Sequence, residues 1–148
     1  MNNIQICMKS LIVLLFTTLS LILPAQQPMF TTDVVAIDGG QFVLSNKGTK
    51  TVSIISKTGT MIREWAFEEP VTGICVNRGT IYATSSYDRG WLTAIDIGTG
   101  KVSYKTETGM GACSPIVNVE GLRIYVFNKY KTTVSEVEAG SGKVLRQA

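Results

Sequence analysis

The chain contains no histidine, and that removes most of the usual ways a polypeptide performs chemistry. A Ser–His couple, a histidine metal centre and a histidine-held haem all need an imidazole. The cysteines offer little instead. Cys7 precedes an apolar leader, Cys75 sits inside an apolar run, and Cys113 lies in a glycine-rich stretch. Their spacing fits no metal motif. Two unpaired thiols, one of them buried, are expected at Cys75 and Cys113; a disulfide between neighbouring units, which export would permit, is the alternative. Glu68 and Glu69 are adjacent, so in extended chain they point to opposite sides and make a poor acid–base pair. The sequence therefore nominates no catalytic, cofactor-binding or metal-binding residue. What remains is recognition. Tyr87, Asp88, Arg89 and Trp91 put a phenol, a carboxylate, a guanidinium and an indole into one loop. Such a mixture suits contact with a partner, although an ordinary solvated loop has the same composition.

Charge narrows the partner. The 14 basic and 11 acidic residues are scattered, and Lys129-Tyr130-Lys131 is the nearest approach to a basic cluster. A nucleic-acid surface needs a stripe of Lys and Arg with interleaved aromatics. None is present, and Lys129–Lys131 reads as a solvated turn.

These side chains are carried by a repeat. After the first roughly 30 residues, one unit recurs three times at a spacing of about 40 residues, the period of propeller blades. Phe42–Asn46, Ile81–Ser85 and Ile124–Asn128 line up, each followed by Val52–Ser56, Leu92–Asp96 or Val134–Glu138. Turn signals Thr58-Gly59, Thr99-Gly100 and Ser141-Gly142 then lead into a last strand. The full expectation is four strands per unit. The first has Val34–Ile37, Phe42–Asn46, Val52–Ser56 and Met61–Phe67. The second has Gly73–Val76, Thr80–Thr84, Leu92–Ile97 and Lys101–Thr106, and the third Ile116–Val119, Arg123–Phe127, Thr133–Val137 and Lys143–Arg146. No segment after the leader carries apolar residues at helical spacing over two turns. The expected fold is all-β: about three four-stranded antiparallel blades over 34–69, 70–113 and 114–148, after a linker at 26–33.

The third strands predict how the units pack. Val52, Leu92 and Val134 are apolar in all three, and so are Ile55, Ile95 and Val137. An offset of three places each pair on opposite faces of its strand. A strand apolar on both faces lies between two sheets, as it does in stacked blades. Trp65, Phe67 and Trp91 are then expected as large fillers between blades.

The front of the chain predicts a compartment. Met8-Lys9-Ser10, the apolar run Leu11–Leu23 and the small residue Ala25 have the plan of an export signal over 1–25. The run falls short of the about 20 apolar residues a membrane-spanning helix needs. Export to the periplasm, cell surface or medium is expected, with no stable membrane span after cleavage. Translation from Met8 would give a tidier signal than translation from Met1.

The tract from Ser114-Pro115 to Gly142-Lys143-Val144 resembles the YVTN repeat of exported bacterial and archaeal β-propellers. Tyr125-Val126-Phe127-Asn128 keeps three of the four name-giving positions, and Asp96 through Val102 resembles the family's I-D-x-x-T-G-K-V strand exit. The likeness covers nearly all of residues 34–148. It drifts at Val43-Leu44-Ser45-Asn46 and Tyr82-Ala83-Thr84-Ser85, and Ser56 and Glu138 stand where Asp96 keeps the aspartate. That aspartate should accept backbone N–H groups of the following turn, a task for which Ser56 and Glu138 are less suited. The resemblance implies a ring of about seven blades. Three blades then point to the amino-terminal part of a longer protein, with self-assembly of copies into a ring as the alternative.

For function, the resemblance implies a binding or scaffold module. An unknown protein or small-molecule ligand would be held at the mouth of the channel by loops 46–50, 68–70, 85–90, 109–115 and 128–132. The repeats are also similar to the propellers of quinoprotein dehydrogenases of the amine dehydrogenase heavy-chain type, which implies an enzyme whose active site lies in other blades. A cell-surface layer component is a third possibility sharing the repeat and the export signal.

Overall fold

Short runs of β-branched residues cut by glycine turns form twelve strands, β1 (Thr31–Ile37), β2 (Gln41–Asn46), β3 (Thr51–Ser56), β4 (Met61–Ala66), β5 (Val71–Asn77), β6 (Thr80–Ser86), β7 (Gly90–Asp96), β8 (Val102–Glu107), β9 (Ala112–Val117), β10 (Arg123–Asn128), β11 (Thr133–Glu138) and β12 (Val144–Gln147). The computed structural model describes residues 30–148, so the expected export signal at 1–25 lies outside the described residues. The strands form three four-stranded antiparallel meanders, β1–β4, β5–β8 and β9–β12. Their first strands are neighbours, with β1 beside β5 and β5 beside β9. This is the expected all-β fold, three blades of a β-propeller set side by side.

The largest boundary differences from the sequence reading are at the starts of β1 and β9. Thr31–Asp33 is strand rather than linker, because Ser45 Oγ lies 2.7 Å from the Thr32 hydroxyl and accepts the Asp33 N–H at 2.9 Å. The third sheet begins at Ala112, not at Ile116, which makes Cys113 a strand residue. Ser114-Pro115 concealed this strand. Proline has no N–H to donate and is tolerated only at an edge or a bulge, and β9 provides both. Its register shifts between the partners of Tyr125 and Phe127, and Ser114 takes a φ of 49°.

Each pair of adjacent sheets encloses its own core. Between the first two lie Val43, Val52 and Ile54 against Ile74, Ile81, Ala83 and Ile95. Between the second and third lie Tyr82, Leu92 and Ala94 against Ile124, Val126 and Val137. Burying each large aliphatic contributes about 1.5–3 kcal/mol, so the two seams hold the sheets together. Trp65 and Phe67 pack on the first seam as expected. Trp91 does not; its indole donates to Glu69 Oε1 at 3.2 Å, and Lys105 Nζ lies 4.8 Å from its ring centroid.

Polar contacts repeat with the blades. In the first sheet Arg63 Nη1 donates to Ile97 O and Trp65 Nε1 to Gly100 O, both at 2.9 Å. One blade later Tyr104 OH donates to Ala139 O at 3.0 Å and Thr106 Oγ1 to Gly142 O at 2.8 Å. The donors sit on the last strand of one blade, and the acceptors lie in the turn before the last strand of the next. Glycine is required at that turn, where Gly100 and Gly142 have φ near 75° and lie beneath Arg63 and Tyr104.

Candidate functional site

Turns between second and third strands all emerge at one end of the blades, and so do the crossovers from one blade to the next. There they enclose a cavity of about 490 Å³. It draws on all five loops expected at the channel mouth: Lys47 from 46–50, Pro70 from 68–70, Ser86 and Tyr87 from 85–90, Gly111 and Cys113 from 109–115, and Lys129 and Tyr130 from 128–132. Thr32 and Thr72 on β1 and β5 supply its inner wall.

The loops are held in place by bonds to their own neighbours. Glu69 accepts the Tyr87 N–H at 3.1 Å through Oε2 and the Trp91 indole through Oε1, which spans the base of the second-blade loop. Ser86 Oγ accepts the Gly111 N–H at 3.0 Å, and Gly111 O accepts the Lys129 N–H at 3.1 Å. Gly111 is obligatory here. Its φ is 77°, and a Cβ would lie 2.9 Å from Tyr130, whose ring covers it. The Thr72 hydroxyl donates to Ala112 O at 2.6 Å and so ties the inner strands of blades two and three together.

Of the four residues nominated from sequence, only Tyr87 reaches this cavity. Asp88 is exposed. Arg89 lies 3.6 Å from Glu107, with both side chains more than half exposed, an arrangement worth little in solution. Trp91 is engaged with Glu69 and Lys105, as described above. Residues 87–89 form the bend between β6 and β7, where the chain reverses, so neighbours in sequence diverge in space. Sequence reasoning missed Lys47, Lys129 and Tyr130 as companions of Tyr87. The signal was there in the repeat itself, since 46–50, 85–90 and 128–132 are equivalent turns and their side chains are bound to meet.

The mouth offers two ammonium groups, two phenols and several hydroxyls. Cys113 and Cys75 are both free, as expected, and both are half-buried by surface area, with the Cys75 thiol desolvated. Burial, with a smaller contribution from Asp33, pushes the Cys75 thiol up to about 12, which leaves it protonated and unreactive at physiological pH. Among the described residues no group of three Cys, Asp or Glu side chains is placed to hold a metal ion. No helix among them is long and apolar enough to cross a membrane.

No protein-family model matches the sequence, and no curated protein matches it either. Solved structures do match. Hydrazine synthase from Kuenenia stuttgartiensis superimposes with a TM-score of 0.74 at 14% identity, over 85% of this chain and 37% of that one. BamB from Moraxella catarrhalis gives 0.64 at 15% identity, over 78% and 35%. A protein of unknown function from Bacteroides caccae gives 0.65 at 16% identity, over 84% and 47%. These neighbours are propeller proteins, and the likeness shows the fold alone. The chain spans less than half the length of each of the three.

Proposed function

We propose that this chain is an exported β-propeller module of the YVTN type, which binds a partner protein or a small molecule at the mouth of its channel. The observation that carries the reading is the convergence of all five mouth loops, from three different blades, on one cavity. Each loop is braced by hydrogen bonds before any ligand arrives, and a pre-ordered site binds without the cost of ordering itself. Lys47 and Lys129 favour a partner that presents carboxylate or other acidic groups, and Tyr87 and Tyr130 add flat surface with a hydrogen-bonding tip. The proposed export rests on the signal plan at 1–25.

The test is a photo-reactive phenylalanine analogue placed at Tyr87 or Tyr130, on the mouth, or at Lys101, on the opposite end. Discrete adducts formed from the first two positions and absent from the third are expected in the exported fraction. Equal adducts from both ends, or none from the mouth, would contradict a mouth site. Amino-terminal sequencing of the same material is expected to read from Gln26.

A further inference from the structure

We propose that the outer rim of the seam between the first and second sheets is a binding site for a small aromatic carboxylate. The argument begins with three equivalent hydroxyls. Ser53, Thr93 and Ser135 hold the same register on the third strands of the three sheets. Ser53 Oγ donates to Glu64 Oε1 at 3.0 Å, and Ser135 Oγ donates to Thr108 O at 2.7 Å. Thr93 is 4% exposed, and its Oγ1 has no hydrogen-bond partner among the described residues. An unpaired buried hydroxyl is costly, and one that lines a cavity points to a partner from outside the chain.

The two seams differ around that position. Between the second and third sheets, Gln147 Nε2 donates to Thr108 O and Asn128 Nδ2 to Ser135 Oγ, both at 2.9 Å, so side-chain amides close the gap. Between the first and second, Lys105 stands in the register of Gln147, and Ser85 in that of Asn128. Phe67 occupies the place of Thr108, as Arg63 does that of Tyr104. The amides are gone, and a groove of about 460 Å³ opens between the blades. That volume lies in the range of small-molecule sites, about 300–1,000 Å³. Thr93 and Ile95, both buried, lie deepest in it, with Trp65, Phe67 and Val102 as apolar walls and Lys105 at the rim.

The walls are set in place by bonds within the chain. The Trp65 indole donates to Gly100 O at 2.9 Å, with Arg63 5.9 Å from its ring centroid. The Phe67 N–H donates to Lys50 O at 2.8 Å. Two fixed rings facing branched aliphatics shape a slot for a flat apolar body.

Charge at the rim selects the polar end. Lys105 Nζ meets Glu68 Oε2 at 3.0 Å, but the Glu68 side chain is 87% exposed. A surface pair of this kind is worth little, so an incoming carboxylate can take its place. Lys50 Nζ donates to Glu68 O at 3.1 Å and brings a second ammonium to the same segment. Glu64 also lines the groove, yet its carboxylate is held by Ser53 on the far face of the sheet. The ligand therefore lays its ring against Trp65 and Phe67, and its carboxylate is received by Lys105 and by the Thr93 hydroxyl. The inference is independent of what the mouth binds.

The experiment titrates the nitrogen-15-labelled full chain with naphthylacetate and follows the indole N–H signals of Trp65 and Trp91 together with the backbone amides. Saturable shifts are expected at the Trp65 indole and at the amides of Phe67 and Thr93. Naphthylethylamine, which reverses the charge, and cyclohexylacetate, which lacks the flat ring, are expected to bind at least about tenfold more weakly. Thr93→Val keeps the shape and removes the hydroxyl. It is expected to raise the urea midpoint of the free protein and to weaken naphthylacetate at least about threefold. Lys105→Met is expected to weaken it about tenfold, and Glu68→Ala, which frees Lys105, to tighten it. Shifts confined to Gly111 and Lys129 at the mouth, or no saturable shift at Trp65, would overturn the proposal. So would equal affinity for naphthylethylamine, or an unchanged affinity in Thr93→Val. A lowered urea midpoint in Thr93→Val would overturn it as well, because the hydroxyl would then have its partner inside the chain.

Discussion

The middle sheet and the third sheet are built to one plan and sit in opposite circumstances. In β7, Leu92 points at the third sheet and Ile95 at the first, and both are fully buried. In β11, Val137 points at the second sheet and is equally buried, but Val134 points away and is not. Burial here belongs to the neighbour and not to the residue type. A blade is a small twisted sheet with two apolar faces, and only a blade on either side shelters both. That contrast also explains where the polar contacts lie, since every turn that receives a donor belongs to a blade with another in front of it.

The comparison breaks most readily at its apolar positions. In a dilute, monomeric sample Leu92→Ala is expected to cost about 2–5 kcal/mol, and Val134→Ala less than about 1 kcal/mol, as read by urea denaturation. Equal losses would mean that the third sheet is covered by something within the chain. A smaller effect is expected at the brace. Asn128 is fully buried and donates to two side chains, while Ser135 Oγ keeps Thr108 O and Gln147 Nε2 as partners, so Asn128→Ala should cost about 0.5–1.5 kcal/mol.

Tyr104 sharpens the same seam. Burial raises the pKa of this phenol, and Tyr82 raises it further. A raised folded pKa means that the contribution to stability is complete below the ordinary tyrosine value of about 10 and is lost as pH climbs through the folded value. Tyr104→Phe is expected to lose about 0.5–1.5 kcal/mol at neutral pH and to flatten the alkaline decline followed by circular dichroism. The smallest effect belongs to Asp96. Its carboxyl is held below the usual range by the Thr99 backbone N–H at 2.6 Å, then by the Thr99 hydroxyl, with lesser help from Arg63. Its contribution is therefore present above the ordinary carboxylate range and lost as pH falls through the depressed value. Carbon-13 titration should find Asp96 below the exposed carboxylates of the chain, and Asp96→Ser should move the urea midpoint only slightly.

Most of the strand plan was legible in the sequence because turns announce themselves chemically. Gly39, Gly79, Gly100 and Gly142 mark reversals that only positive φ allows, and the alternation between them does the rest. The inner strands were read least well. Thr31–Asp33 is polar and Ser114-Pro115 lacks an N–H, so neither has the composition of a strand; both are held by bonds that come from the sheet. The strand-exit position was half legible. Asp96 does accept the Thr99 N–H, but Ser56 performs the same task more fully than its type suggested, taking the N–H groups of Thr58 at 3.3 Å and Thr60 at 3.1 Å. Glu138 takes the Ser141 hydroxyl and no backbone N–H of its turn, its other oxygen facing Arg123. Of the mouth, the loops were legible and the residues were not, because a site shared among three blades has no contiguous signature.

Hydrogen exchange followed residue by residue tests most directly whether a blade depends on its neighbours. Amides of β6 and β7 are expected to exchange slowest, and those of β10 and β11 measurably faster. Equal protection in the middle and third sheets would contradict the account.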